Sequence, residues 1–288
     1  MRCSDDGFSF KRADGIWRCL LPERAPYFEQ FVHEYETVRQ GEGRGSDDPA
    51  YYRALPFADL SGRMAADWRI RSQSFSTLLE KVLIPLEIAY DSALRILDVG
   101  AGSGWLSYQL ARRGHELAAI DLTVNRGDGL GAHVMYDLDF LPIQAEFDYL
   151  PLRSQQADLV IFNAALHYAT DYVTTLQEAW RVAVPGGLVA VVDTAVYHNP
   201  SSGDQMVRER EHLFQQKYGF PSNAIPSQNY LTYDRLAALA QQLNVNWQLH
   251  WPVPAWRWTV RRLRARLGGQ REPAQFPLIL GQKVKNPA

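Results

Sequence analysis

The sequence predicts an α/β fold in which helices cover both faces of a mostly parallel sheet, and three observations support this prediction. From residue 95 onward, short apolar runs alternate with helical patterns, as buried parallel strands joined by crossover helices do. The first strand and helix are joined by a glycine-rich turn, and two further β-like runs lie near the end of the chain. The predicted parallel strands are 95–99, 117–121, 142–147, 158–163 and 188–193.

Helix signals separate these strands. Helices are predicted to begin at Trp105 and near Asp171, and a third is capped by Thr232. The last two β-like runs, 245–250 and 276–284, are expected to form an antiparallel pair at the sheet edge. The whole pattern is that of a doubly wound sheet whose final strand reverses direction.

Three segments lie outside this alternation. Residues 1–90 are rich in aromatic side chains and contain the glycine-bearing polar run 40–48, so they are predicted to form a helical N-terminal appendage or cap. Residues 91–288 are predicted to form the main domain, with insertions near 197–230 and 251–275.

Composition limits the classes of function. A formal net charge of -2 gives no overall attraction to nucleic acid, and no apolar run has the roughly 18 residues of a membrane span. The first six residues carry charges where a secretory signal would be apolar, so a reducing cytoplasm is expected. Cys3 and Cys19 are expected to be unpaired thiols, since a zinc site normally needs four ligands. No metal is predicted.

The glycine-rich turn indicates a nucleotide-like cofactor. Gly100, Gly102 and Gly104 lie between a strand end and a helix start, where a ligand can approach a bare backbone. A dinucleotide fingerprint would require a small residue where Trp105 stands. Asp121, at the end of the second strand, suits the ribose of either cofactor class. A nicotinamide-dependent oxidoreductase therefore stays open as an alternative at this point.

Five segments in order carry a family resemblance. They read LDVGAGSG, AIDLT, AEFDYLPL, ADLVIFNAALHY and LQEAWRVAVPGGLVAVVD, and together they resemble the class I S-adenosylmethionine-dependent methyltransferases of small-molecule, methyltransferase type 11-like type. The resemblance covers residues 95–193. It implies a Rossmann-like, seven-stranded, mostly parallel sheet with a terminal antiparallel strand, the cofactor S-adenosyl-L-methionine and methyltransferase activity. The cofactor contacts that it implies come from Asp98, Gly100, Ala101, Gly102, Gly104, Asp121, Leu122, Asp148, Tyr149 and Asn163.

The resemblance also implies roles for the three acids. Asp98 would lie beneath the glycine loop, Asp121 would bind the ribose hydroxyls, and Asp148 would face the adenine amino group. Asp98 stands within an apolar strand, where an unpaired carboxylate is costly, so we expect it to pair with loop amides or to meet the cofactor.

The candidate catalytic residue is His167, four residues beyond Asn163, where it would act as a base or only pack against the following helix. The turn at 163–166 reads NAAL rather than an Asn-Pro-Pro-Tyr-like sequence, which argues against methylation of DNA amino groups. A small-molecule acceptor and no nucleic acid are predicted, with a weak membrane-surface or lipophilic contact through the basic, tryptophan-bearing segment 251–275. A cofactor-fold binding protein without turnover is a further alternative.

Overall fold

The computed structural model describes residues 7–253 and 255–283. Its strands are β1 (Lys11–Ala13), β2 (Ile16–Arg18), β3 (Arg95–Val99), β4 (Glu116–Asp121), β5 (Leu141–Gln144), β6 (Ala157–Asn163), β7 (Ala183–Val192), β8 (Val196–Tyr197), β9 (Leu231–Thr232), β10 (Val245–His250) and β11 (Leu278–Lys283). Its α-helices are α1 (Ala25–Gly41), α2 (Pro49–Ala54), α3 (Ala65–Leu78), α4 (Ile84–Ala89), α5 (Trp105–Ala111), α6 (Tyr172–Val182), α7 (Pro200–Tyr218), α8 (Tyr233–Leu243) and α9 (Ala255–Leu267).

The central sheet confirms the predicted fold class. Within the described ranges its nine strands run in the order β1-β2-β5-β4-β3-β6-β7-β11-β10. In this order the six strands from β2 to β7 are parallel to one another, whereas β1 is antiparallel to β2, and β11 is antiparallel to both β7 and β10. The seven strands from β5 to β10 form the expected sheet with its antiparallel strand, and β1 and β2 extend it at the other edge.

The predicted strand positions agree closely with those observed. β3 and β10 have the predicted bounds, while β5 ends at Gln144, before the predicted end at residue 147. β7 begins at Ala183, earlier than predicted, because the Pro-Gly-Gly sequence lies within the strand rather than before it. Residue 284, the predicted end of the last strand, lies outside the described residues.

The helix caps agree with the sequence signals. Asp171 accepts a hydrogen bond from the Val173 amide at the start of α6, and Thr232 accepts one from the Arg235 amide at the start of α8. Gly104 precedes α5 with φ +79°, and a side chain there would meet the Phe140 ring at 2.5 Å.

The first ninety residues are mainly helical, but they also contribute β1 and β2 to the sheet. β2 pairs parallel with β5, with Trp17 opposite Ile143. Strands of three residues are too short to show an alternating pattern, so the sequence did not reveal them. The helical part is joined to the main core, since Tyr52 and Trp68 belong to the same buried cluster as Leu159.

The C-terminal insertions contain helices. α7 lies in the 197–230 segment and α9 in the 251–275 segment. Where the chain is described, no helix has both the length and the apolar character needed to cross a membrane. Cys19 is a free, half-buried thiol, while Cys3 lies outside the described residues.

Candidate functional site

A cavity opens where the parallel strands β3, β4, β5 and β6 end. The carboxyl ends of these strands meet at one edge of the sheet, which is where doubly wound folds bind ligands. The residues that line it are Arg24, Phe28, Phe31, Tyr35, Gly100, Asp121, Leu122, Thr123, Glu146, Phe147, Asp148, Ala164, Ala165, Tyr168, Ala169, Thr170 and Ile225.

The glycine loop forms one wall of this cavity. Gly100 has φ +76°, and a Cβ atom added there would lie 2.3 Å from the Cβ atom of Ala165. Both the backbone conformation and the close approach therefore require glycine at this position. The Gly102 amide donates a 2.8 Å hydrogen bond to Asp121, so the loop is fixed to the end of β4.

Asp121, at the end of β4, and Asp148, in the loop that follows the neighbouring strand β5, bring two carboxylates to the same cavity. Asp121 also accepts hydrogen bonds from the amide and the hydroxyl of Thr123, and Asp148 accepts one from the Thr175 hydroxyl. Burial raises the pKa of both carboxyl groups. A carboxylate has about four acceptor sites, so each side chain retains capacity for a ligand donor.

Asp98 lies below the loop rather than in the cavity wall. It is fully buried and accepts a 2.8 Å hydrogen bond from the Ser107 hydroxyl of α5. Its Oδ1 has no hydrogen-bond partner among the described residues. Burial, together with the charge of Asp121, raises the pKa of Asp98 to about 7. Asp98 thus connects β3 to α5 through the Ser107 hydroxyl, with one acceptor oxygen unused.

The ten positions that the sequence indicated as cofactor contacts divide into two groups. Gly100, Asp121, Leu122 and Asp148 line the cavity. Outside the lining, Tyr149 has 59% of its surface exposed, and Asn163 is buried at the end of β6. The remaining four are beneath or within the loop, namely Asp98, Ala101, Gly102 and Gly104.

The sequence did not assign the α1 side chains that cover this cavity. Phe28, Phe31 and Tyr35 line it from one face of α1. Their spacing of three and four residues is that of a helical face, so an aromatic stripe was the signal that could have revealed them. Tyr168 meets both Phe31 and Tyr35 edge-on, at ring-centroid distances of 5.8 and 5.7 Å.

An ion pair fixes the beginning of α1 to the cavity. Arg24 donates from Nε and Nη2 to the two carboxylate oxygens of Glu146, at 2.8 and 2.7 Å. Glu146 is buried, and the guanidinium group also lies over the rings of Tyr27 and Phe28. Bidentate geometry of this kind is the strong form of an arginine–carboxylate contact. It holds the N-terminal segment against the loop that follows β5.

His167 is half-buried and does not belong to the cavity lining. Its ring packs on Tyr168 with centroids 4.4 Å apart, and its Nδ1 has no hydrogen-bond partner within the described ranges. Burial lowers the pKa of His167 to about 3, and the charges of Arg210, Arg39 and Arg71 act in the same direction. An imidazole with this pKa is a weak proton acceptor, and the role of His167 as a base stays a prediction.

The residues of the 251–275 segment that the structure describes contribute nothing to the lining of this cavity. Trp258 is buried, whereas Val260, Leu263 and Leu267 of α9 are exposed. Arg262 pairs with Glu272 at 3.5 Å. Trp256 and Arg257 belong to the predicted basic, tryptophan-bearing segment, but their side chains are not among those that the structure describes.

The sheet order, the antiparallel β11 and the cavity beside a glycine loop define a Rossmann-like cofactor-binding protein. Residues 97–191 match the family described as "Methyltransferase domain". This part of the chain, about a third of its length, is thus similar to a methyltransferase domain.

Two curated relatives illustrate the match. The tRNA 5-carboxymethoxyuridine methyltransferase of Escherichia coli K12 is 30% identical over 104 residues, which are 34% of this chain and 40% of the relative. Malonyl-[acyl-carrier protein] O-methyltransferase 1 of Coxiella burnetii is 28% identical over 112 residues, which are 39% of this chain and 38% of the relative. The chain thus spans about 40% of the length of these relatives.

Solved structures share the fold at low sequence identity. The CurJ carbon methyltransferase superposes with a TM-score of 0.53 at 15% identity, over 91% of this chain and 69% of that one. Phosphoethanolamine N-methyltransferase 2 of Haemonchus contortus, solved with S-adenosyl-L-methionine, superposes with a TM-score of 0.52 at 14% identity. The superposition covers 74% of this chain and 53% of that one. At these identities the likeness shows the fold alone.

Proposed function

We propose that this protein transfers a methyl group from S-adenosyl-L-methionine to an acceptor molecule. One observation carries the proposal: Asp121 and Asp148, from adjacent strand ends, line the same cavity as Gly100. Two carboxylates beside a bare backbone fit a ligand with hydroxyl and amino donors at its two ends, as a nucleoside has.

The residues present fit this cofactor. Asp121 would accept from the ribose hydroxyls, Asp148 would accept from the adenine amino group, and Gly100 would allow the cofactor to approach the backbone. Bound there, the cofactor supplies an electrophilic methyl group on a sulfonium centre. The chain's own contribution is to hold the acceptor in line and to exclude water, for which the rings of Phe31 and Tyr168 are suited.

We infer that α1 and the 197–230 segment form the cover of this cavity, in line with the predicted N-terminal cap. The bidentate pair of Arg24 with Glu146 and the aromatic face of α1 support the first part. Ile225, which also lines the cavity, supports the second. A cytoplasmic location remains a prediction.

The acceptor is a small molecule or a macromolecule. The relatives are named for a tRNA nucleoside and for an acyl-carrier protein, so the predicted absence of nucleic acid has no support from them. A small-molecule acceptor is favoured by the aromatic cover, which encloses the cavity with three rings of α1. The oxidoreductase alternative is weakened by Trp105, which is buried against Trp68 in the position where a dinucleotide site needs a small residue.

Calorimetric titration with S-adenosylhomocysteine and with NAD⁺ tests the proposal. We expect the first to bind and the second not to bind. Asp121→Asn should weaken the binding of S-adenosylhomocysteine about tenfold or more, because a hydrogen bond to a charged acceptor contributes roughly 1.5–3 kcal/mol. Glu116→Gln, at the opposite end of the same strand, is the matched control.

Binding of NAD⁺ alone would refute the assignment of the cofactor. A protein that binds S-adenosylhomocysteine but transfers no isotopically labelled methyl group to any component of a cell extract would instead be the non-catalytic binding protein.

A further inference from the structure

A second cavity adjoins the cofactor cavity. The two share Phe31, Tyr35, Tyr168 and Ile225, so these four residues form a common wall. We call the second cavity the acceptor chamber. Its own walls combine apolar and charged side chains, among them Val38, Arg39, Glu42, Arg210, Phe214 and Asn229.

Most charges around the acceptor chamber are paired. Arg39 Nε lies 2.7 Å from an Asp128 carboxylate oxygen, and Glu42 lies 2.7 Å from Arg44 Nε. Arg210 differs, because its Nη2 donates at 2.7 Å to the neutral amide oxygen of Asn229. Its buried Nε has no hydrogen-bond partner among the described residues.

Among the described residues that line the acceptor chamber, Arg210 is therefore the one guanidinium group without a carboxylate partner. Buried charges are normally paired, and a buried donor left unsatisfied costs roughly 1–3 kcal/mol. A ligand with one negative charge would satisfy both the charge and the unused Nε of Arg210. The planar fork of arginine fits a carboxylate through two parallel hydrogen bonds.

We propose that the acceptor chamber binds a small carboxylic acid as the methyl acceptor, with its carboxylate on Arg210 and its apolar part against Phe31 and Phe214. The methyl group would pass to a nucleophilic atom of the acid other than the carboxylate. The methyl carbon–sulfur bond breaks as the new bond forms, S-adenosylhomocysteine leaves as a neutral thioether, and a proton carried by the accepting atom is released to water. This inference rests on the proposed function and names its substrate class. One uncompensated positive charge matches a carboxylate, whereas a phosphate monoester would bring about two negative charges.

The position of the acceptor chamber fits an acceptor site. Tyr168 follows β6, on the strand end that faces the cofactor cavity, and lines both cavities. Methyl transfer requires the acceptor atom to be held close to the donor in a dry environment. A chamber that shares an aromatic wall with the cofactor cavity places a bound acid beside the donor.

The test uses calorimetric titration of the full chain saturated with S-adenosylhomocysteine. The probes are 4-phenylbutyrate, its neutral analogue 4-phenylbutanamide, and phenyl phosphate. We expect the carboxylate to bind and the amide to bind at least about tenfold more weakly. Arg210→Gln should remove this preference, while Arg208→Gln, an exposed arginine of the same helix, should retain it.

Each outcome bears on a different claim. Equal affinity for the carboxylate and the amide, or an unchanged preference in Arg210→Gln, would overturn the carboxylate site, and tighter binding of phenyl phosphate would replace it with a phosphate site. Retained S-adenosylhomocysteine binding in Arg210→Gln shows that the variant is folded. Failure of the unmodified protein to bind S-adenosylhomocysteine would refute the proposed function itself, independently of the probes.

Discussion

Replacing Arg24 with glutamine should destabilise the protein and weaken cofactor binding together. Arg24 makes two hydrogen bonds to Glu146, whose side chain is only 4% exposed. Without the guanidinium group, the buried Glu146 carboxylate loses its partner. The pair also holds the start of α1, whose rings cover the cofactor cavity.

The magnitude follows from burial. Breaking a fully buried ion pair costs about 3–5 kcal/mol. The Arg24 side chain is 33% exposed, so water replaces part of the lost contact, and we expect about 2–3 kcal/mol. For a chain of this size, that loss corresponds to a decrease of roughly 5 °C in Tm.

Thermal unfolding and calorimetric titration with S-adenosylhomocysteine measure the two effects. Arg113→Gln is the matched control, because Arg113 makes the same bidentate contact with Glu87 on the surface, at 2.8 and 2.6 Å. An exposed pair contributes about 0–1 kcal/mol, and this pair lies away from the cavity. Adding Glu146→Gln to Arg24→Gln should restore part of the stability by removing the unpaired charge.

Equal loss of stability in the Arg24 and Arg113 variants would refute the reasoning from burial. Unchanged S-adenosylhomocysteine affinity in Arg24→Gln would show that α1 is not part of the binding site.

Further predictions concern single groups. The raised pKa of Asp98 means that its neutral form stabilises the folded state fully below about pH 4, and that this contribution is lost as the pH rises to about 7. Urea unfolding between pH 4 and 8 should show this decline, and Asp98→Asn should flatten it. The lowered pKa of His167 predicts that its imidazole stays neutral from pH 5 to 8, so an NMR titration midpoint near 6 would contradict the burial argument. Gly100→Ala should destabilise the protein by about 1–3 kcal/mol and reduce S-adenosylhomocysteine binding, since the new methyl group meets Ala165 and the backbone is strained; retained affinity would mean that the loop can shift. Contact of the 251–275 segment with lipid predicts sedimentation with anionic vesicles at low salt, and a protein that stays in the supernatant would limit this segment to a structural role.

The strands and caps were predictable because their signals are local. Asp171 and Thr232 cap helices through their own side chains. The strands of a parallel sheet are buried on both faces, so their sequences are continuous apolar runs. Asp121 and Asp148 were predictable as candidates for a similar reason, since each follows an apolar run in a fixed order of segments. That both line one cavity agrees with the order of the strands.

Other parts of the site depend on contacts between distant segments. Glu146 has no local signal that marks it as the partner of Arg24, which lies 122 residues away. The packing of His167 on Tyr168 and the unpaired guanidinium of Arg210 likewise follow from how α1, α7 and the loop after β6 meet. Each of these features is a property of an assembled environment.

The sequence by itself determined the succession of the five main parallel strands and the helices between them, the glycine turn and the acids after the apolar runs. These features arise from periodicity, backbone conformation and capping within a few residues. Only the tertiary structure decided which side chains share a cavity, which charges are paired and which carboxyl groups are buried. Burial and pairing depend on segments far apart in the chain, and they set both the pKa values and the ligand chemistry of the site.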